Sequence, residues 1–145
     1  MIDKIDEEIL KLLSKNGRIK LSDLAKKVNL SISPCQARIK KLENKKYILG
    51  YHARINLEQL AKAHIAFVQV VLSDTRANAL ESFNKEVSKL ESVEQCHMIA
   101  GSFDYLLKVR TKNISQYRTI LAEKISSLPN VASTSTFVSM ETVKD

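Results

Sequence analysis

The chain of 145 residues is 44% apolar and 27% charged, a balance that fits a globular protein and excludes a disordered, highly charged one. No apolar run approaches the ~18 residues that a membrane span needs. Ile2-Asp3-Lys4-Ile5-Asp6-Glu7-Glu8 carries acids where a secretory signal needs a basic and then an apolar region. A cytoplasmic protein without a membrane partner is expected. Two cysteines, Cys35 and Cys96, lack CxxC spacing and are expected to be buried thiols in a reducing compartment. The net charge of +7 is unevenly placed: residues 1–54 hold thirteen Lys and Arg against six Asp and Glu, and residues 55–145 hold ten of each. Such asymmetry points to a nucleic-acid-binding module joined to a neutral module with another task.

In chain order, Ile5, Ile9, Leu12 and Leu13 recur at helical spacing and predict a helix over 4–15, with Asp3 as N-cap and Asn16-Gly17 as its stop. Leu21, Leu24, Ala25 and Val28 predict a second helix of about two turns, opened by Ser22 and left through Asn29 in a left-handed conformation. A third helix is expected from Ser33 as N-cap, with Pro34 at its first position and Gln36 completing a capping box; Ser31 is the competing cap. It runs to about Lys45. Cys35, Ile39 and Leu42 form its apolar stripe, Ala37, Lys40, Lys41 and Asn44 point away, and Gln36 and Arg38 lie on the flanks.

Two short helices joined by a tight turn, the second apolar inside and basic outside, meet the requirements of a helix-turn-helix, whose second helix enters the major groove. Double-stranded DNA is therefore the expected partner, and the nucleoid the expected location within the cytoplasm. Gln36, Lys40 and Asn44 lead the base contacts, since an amide can bridge the donor and acceptor of adenine. Arg18, Lys20, Arg38, Lys41, Lys45 and Lys46 serve phosphates, and Ser31, Ser33 and Ala37 complete the DNA-contacting set.

Residues 47–56, with Gly50 in their middle, read as extended, and 57–62 as a short connection. Beyond them the patterns predict a strand over 65–72, a helix over 76–90, a strand over 93–100, a tight turn at Gly101-Ser102-Phe103-Asp104, and a strand over 105–111. A helix marked by Tyr117, Ile120, Leu121, Ile125 and Leu128 follows, broken by Pro129-Asn130, and then a strand over 131–140. This β-α-β-β-α-β order is the ferredoxin-like plan. Two helices cover only one face of its sheet. Residues 65–72 are apolar on both faces, so the open face is expected to pack on a second copy across a twofold axis. The fold class is thus α+β: a three-helix, winged-type helix-turn-helix domain (1–46), an extended linker (47–62), and a ferredoxin-like domain (63–145) that dimerises through its sheet.

Enzymatic and metal signatures are missing. His52, His64 and His97 are scattered, without HExxH or zinc spacing, and three glycines cannot build a phosphate-cradling loop. No enzyme activity, catalytic residue, metal or cofactor is expected.

Several short matches run along the chain in a fixed order: Ile5-Asp6, Ile9-Leu10, Asn16-Gly17-Arg18, Leu24-Ala25, Leu30-Ser31, Pro34-Cys35, Arg38, Leu42-Glu43, Ile48-Leu49-Gly50-Tyr51, Glu94 to Cys96, Gly101-Ser102-Phe103-Asp104-Tyr105-Leu106-Leu107 and Met140-Glu141. With them the chain resembles the Lrp/AsnC family, the leucine-responsive or feast/famine transcriptional regulators. The resemblance implies a dimer that assembles further, as a tetramer of dimers, and an amino-acid effector bound between dimers. Met98, Gly101, Ser102, Phe103, Asp104, Ile114, Thr136, Phe137, Val138, Ser139 and Met140 would line that site. Gly101 would let backbone N–H groups approach the carboxylate and Asp104 would pair with the α-ammonium; a plain hairpin turn, with glycine at positive φ and the aspartate bonding the backbone, is the competing reading. Many relatives carry an aspartate where this chain has Ser102. Two alternatives stand beside the regulator: an enzyme similar to the sirohaem decarboxylases, which resemble the same two-domain plan, and a ligand-sensing module without DNA binding.

Overall fold

In the computed structural model, which describes residues 2–57, 59–60 and 64–144, the first helix, α1 (Lys4–Lys15), begins with a reciprocal cap. The Asp3 carboxylate accepts from the Asp6 N–H at 2.8 Å, and Asp6 accepts from the Asp3 N–H at 3.4 Å. Two of the four N–H groups that open a helix unpaired are thereby engaged. The next helix, α2 (Leu21–Lys27), starts earlier than expected. Lys20, not Ser22, is its N-cap, without a side-chain bond. Asn29 leaves it at φ 56, in the left-handed region that asparagine tolerates.

The third helix, α3 (Ile32–Asn44), corrects the expected capping box. Ser31 is its N-cap, with no side-chain bond, and Ser33 and Pro34 lie inside the first turn. Proline is accommodated there because first-turn N–H groups have no intrahelical acceptor to lose. Lys45 is the C-cap, and Lys46, at φ 61, turns the chain away. Ile9, Leu24, Ala25, Val28, Cys35 and Leu42 form the buried centre of this unit, with Ile5, Leu13, Ile39 and Ile48 packed on it. Each fully buried leucine there contributes roughly 1.5–3 kcal/mol. Residues 47–57 form no strand; Tyr47 and Ile48 donate to the Leu42 carbonyl, and the Tyr51 hydroxyl donates to Glu43 at 3.0 Å.

Residues 1–55 make one compact unit and 56–145 a second. Positions 58, 61 and 62 of the expected linker lie outside the described residues, as does 63. The second unit runs β1 (His64–Leu72), α4 (Ala77–Val87), β2 (Val93–Met98), β3 (Tyr105–Thr111), α5 (Ile114–Ile120) and β4 (Val131–Val138). The helix expected through Leu128 is split, since a π-helical turn, Leu121–Ile125, follows α5. The sheet order is β2-β3-β1-β4, antiparallel throughout, which is the ferredoxin-like arrangement.

One face carries the core: Ala66, Val68, Val70 and Leu72 of β1 and Tyr105, Leu107 and Val109 of β3, packed with Phe83, Val87, Tyr117, Ile125 and Leu128. Phe83 sits on Tyr105 with ring centroids 4.4 Å apart. The other face is mixed rather than uniformly apolar. Phe67 and Phe137 are paired across β1 and β4 and remain 36% and 53% exposed, while Glu94 pairs with Lys108 at 3.5 Å and with Arg110. Cys35 is buried as expected. Cys96 is not, because β2 is an edge strand with a neighbour on one side only. No helix among the described residues is long and apolar enough to cross a membrane.

Candidate nucleic-acid interface and ligand site

Burial divides α3 into an anchored side and an open one. Cys35 and Leu42 are fully buried with Ile39 half-buried between them, whereas Ser33, Gln36, Ala37, Lys40, Lys41 and Asn44 are exposed. Gln36, Lys40 and Asn44 follow one another at i, i+4 and i+8, so they form a single stripe along the helix. Arg18, Lys20, Ser31, Lys45 and Lys46 are exposed on the same unit. A helix held by its apolar side and presenting amide and ammonium groups on the other can offer both base-edge and phosphate contacts.

Arg38 differs from the expectation. Its Nη1 donates to Asp3 Oδ2 at 2.6 Å and to Asp6 Oδ1 at 2.7 Å, and its side chain is only 27% exposed. Asp6 is 0% exposed and also lies 3.4 Å from the Lys41 ammonium. Burial by itself would raise the Asp6 pKa; the bonds from Arg38 and from the Asp3 N–H outweigh it, and the carboxyl is held below its ordinary range. Asp3 is lowered by the Asp6 N–H and by Arg38, and both carboxylates raise Arg38. Sequence reasoning missed Asp3 and Asp6 as partners of α3. The signal was two acids at i, i+3 in the first turn of a helix, which local patterning assigns to capping alone.

The residues expected at the ligand site fall into two groups. Met98 lies opposite Tyr105, Tyr105 opposite Val70, and Val70 opposite Thr134, so Met98 and the loop at 101–104 occupy one end of the sheet. Val138 lies opposite Ala66, four residues back along β1, and Ile114 follows Thr111, whose partner is His64. Ile114, Phe137, Val138, Ser139 and Met140 thus belong to the other end, with Thr136 between. The two rows are roughly 13 Å apart along the strand, and one chain does not bring the groups together.

Several chemical expectations change as well. Residues 99–104 form a six-residue loop rather than a tight turn, because β2 ends at Met98. Asp104 is committed to the backbone: its Oδ2 accepts from the Leu72 N–H at 2.7 Å, and its own N–H donates to the Val70 carbonyl at 2.9 Å. Gly101 has no left-handed φ, and a Cβ there would meet only Ile99 Cγ2 at 3.6 Å, an ordinary contact. The Thr136 hydroxyl is 2.5 Å from that of Tyr117, and the Ser139 N–H donates to the Ile65 carbonyl at 2.9 Å. Met98, Ile114, Phe137, Val138 and Met140 are exposed apolar groups, and Ser102 is exposed beside the half-buried Phe103. A separate cavity of about 230 Å³, lined by Glu91, Glu94, Arg110, Lys112 and Gln116 among others, includes none of these residues.

Residues 65–145 match the family model of the Lrp/AsnC ligand binding domain, and residues 2–49 match that of winged helix-turn-helix DNA-binding domains. The chain belongs to the Lrp/AsnC family. Along 99% of its length it is 56% identical to a proline dehydrogenase transcriptional activator of Rhizobium radiobacter, of which it covers 92%. Over the same share it is 43% identical to the leucine-responsive regulatory protein of Escherichia coli, of which it covers 87%. In structure it is similar to a Neisseria meningitidis transcriptional regulator solved as an L-Met complex, with a TM-score of 0.91, 28% identity, and coverage of 100% of this chain and 94% of that one. As an Lrp/AsnC protein it is a DNA-binding transcriptional regulator with a ligand-binding domain, not an enzyme. The sirohaem-decarboxylase alternative is thereby set aside, as is the alternative of a module without DNA binding.

Proposed function

We propose that this Lrp/AsnC protein acts as a dimer that reads DNA sequence through Ser33, Gln36, Lys40 and Asn44 of α3 and answers to a small amino acid. The exposed stripe of Gln36, Lys40 and Asn44, on a helix anchored from its other side by fully buried Cys35 and Leu42, carries this reading. Arg18, Lys20, Lys41, Lys45 and Lys46 serve phosphates, with Ser31 and Ala37 at the groove surface. Dimerisation through the open sheet face is supported by the exposed cross-strand pair Phe67 and Phe137, which two copies can bury against each other. Two recognition helices then meet successive major grooves about 34–36 Å apart.

The amino acid binds between copies. Met98 with the Gly101-Ser102-Phe103-Asp104 loop, and Ile114 with Thr136, Phe137, Val138, Ser139 and Met140, sit at opposite sheet ends, so two chains complete what one cannot. The polar ends of the ligand fall to backbone groups of the loop and to Ser102, since Asp104 is engaged with β1. The Rhizobium relative's name makes proline the first amino acid to test, and the L-Met complex of the Neisseria protein supports an amino acid as the ligand class.

Fluorescence anisotropy with DNA from the protein's own upstream region, against scrambled DNA, tests the reading. The expected result is tighter binding to the upstream DNA, weakening steeply with salt, and a shift with proline or a pool of amino acids. Gln36→Ala relaxes base preference, while Lys40→Ala also lowers the salt slope. Equal binding to both DNAs overturns sequence-specific regulation.

A further inference from the structure

The recognition helix is joined to α1 by a charge cluster that the DNA reading leaves unused. Nη1 of Arg38 bridges two carboxylates, Asp3 Oδ2 at 2.6 Å and Asp6 Oδ1 at 2.7 Å, from residues 35 and 32 positions earlier in the chain. Asp3 and Asp6 are locked to each other by the reciprocal cap of α1. Arg38 therefore grips a preformed pair of acids rather than one mobile side chain. Asp6 is fully buried and meets Arg38 at 2.7 Å and Lys41 at 3.4 Å; a buried carboxylate that loses its nearer cation is left under-compensated, so the Arg38 contact favours one arrangement of the two helices.

On α3, Arg38 lies two residues after Gln36 and two before Lys40, turned about 200° from each at the helical ~100° per residue. A guanidinium facing α1 from there leaves the stripe of Gln36, Lys40 and Asn44 directed away from α1. The roll of α3 about its own axis thus sets which side chains reach the groove, and apolar contacts at Cys35 and Leu42 are less directional than a hydrogen-bonded ion pair. A directional tether at the flank removes the remaining freedom.

We infer that Arg38 is a positioning residue rather than a DNA contact, and that Asp6, with Asp3, is the anchor through which it sets the angle of the recognition helix. The inference rests on the reading of α3 as the DNA-reading helix. It adds a specificity-determining role for two acids in the most basic part of the chain, where acids would otherwise only oppose DNA binding.

The test is the full-length protein carrying Asp6→Asn, Arg38→Lys, Arg38→Gln or Asp6→Asn with Arg38→Gln, assayed on upstream and scrambled DNA across a salt series. Asp6→Asn removes a negative charge from the DNA-binding unit, so electrostatics alone predicts tighter binding to every DNA. The positioning role predicts the opposite for upstream DNA, an approximately tenfold loss of preference over scrambled DNA, comparable to one lost base contact. Arg38→Lys keeps the charge and loses the two-carboxylate bridge; it is expected to lower preference with the salt slope unchanged. Arg38→Gln likewise keeps the slope, whereas loss of a phosphate contact lowers it by about 0.9. In the double variant the losses are non-additive, because each residue acts through the other. A flattened slope in Arg38→Gln, or tighter upstream binding in Asp6→Asn, overturns the inference. If Asp6→Asn does not fold, Arg38→Lys decides alone. Failure of the wild type to distinguish the two DNAs overturns the proposed function instead.

Discussion

The Asp104 carboxylate accepts a hydrogen bond from the Leu72 N–H at 2.7 Å, at the point where the register between β1 and β4 shifts past Val71. The β1–β3 ladder ends at Val70 and Tyr105, so the Leu72 N–H on that edge has no strand partner, and Asp104 supplies one. Its own N–H donates to the Val70 carbonyl, so the loop after β2 is tied to the end of β1 twice. Asp104→Ala leaves the Leu72 N–H without this acceptor and is expected to cost about 1–3 kcal/mol, read as a lower urea midpoint. Asp104→Asn keeps an acceptor oxygen and costs less. Equal losses in the two variants would show that the side chain acts by charge rather than by this bond.

Tyr117 and Thr136 join α5 to β4 through hydroxyls 2.5 Å apart. Tyr117 is buried, and burial raises its pKa while the Thr136 bond works against that rise. Thr136→Val strands the tyrosine hydroxyl and is expected to cost about 1–3 kcal/mol; Tyr117→Phe frees an exposed threonine to bond water and costs about 1 kcal/mol or less. The double variant is less destabilised than the sum of the two. Additive losses in denaturant unfolding would refute the pairing.

Acid should loosen the N-terminal unit through Asp3 and Asp6. Both are held below the ordinary value of 3.8. A carboxyl lowered in the folded state contributes stability that is present above its unfolded pKa and is lost as pH falls through the folded one. The contribution is therefore complete at neutral pH, begins to fall near about pH 4 and is lost as pH drops through the lowered folded values. Arg38→Gln removes the nearer of the two cations beside Asp6, leaving Lys41 at 3.4 Å, so the stability gap between wild type and variant is expected to shrink as pH falls. Urea midpoints at pH 7, 5 and 3.5 measure it; a gap that stays constant separates Arg38 from the acids.

Leu42 is fully buried in the cluster formed with Ile9, Leu24 and Cys35, and Phe83 is fully buried against Tyr105 in the second unit. Leu42→Ala is expected to cost about 2–5 kcal/mol and Phe83→Ala about 3–5 kcal/mol. Because the chain divides into two compact units, calorimetry should show each substitution lowering a different transition. A common shift of one transition would mean that the units unfold together.

Much of this architecture was determined by sequence alone. α1, β3 and the β-α-β-β-α-β order followed from periodicity and from breakers such as Asn29, which adopts the left-handed φ expected at its exit, and Asn130, which adopts it too. The same local logic found the exposed stripe on α3, because 3.6-residue periodicity and placement of charge are properties of neighbouring residues. Local logic failed where two signals competed within one turn. Ser31 and Ser33 were both plausible caps, and Ile32 entering the first turn decided for Ser31.

Only the tertiary structure decided what the polar groups do. Arg38 read as one more cation on a basic helix until folding brought Asp3 and Asp6, more than thirty residues away, within 2.7 Å of it. Asp104 read as a ligand for an ammonium until the sheet placed the Leu72 N–H beside it. Cys96 read as buried until its strand proved to be an edge. The residues proposed for the ligand site were named one by one, but the antiparallel register sends Met98 and Val138 to opposite ends of the sheet. Backbone periodicity is written locally in the chain, whereas the partner of a charge or a hydrogen-bonding group is chosen by whichever distant segment the core packing brings next to it.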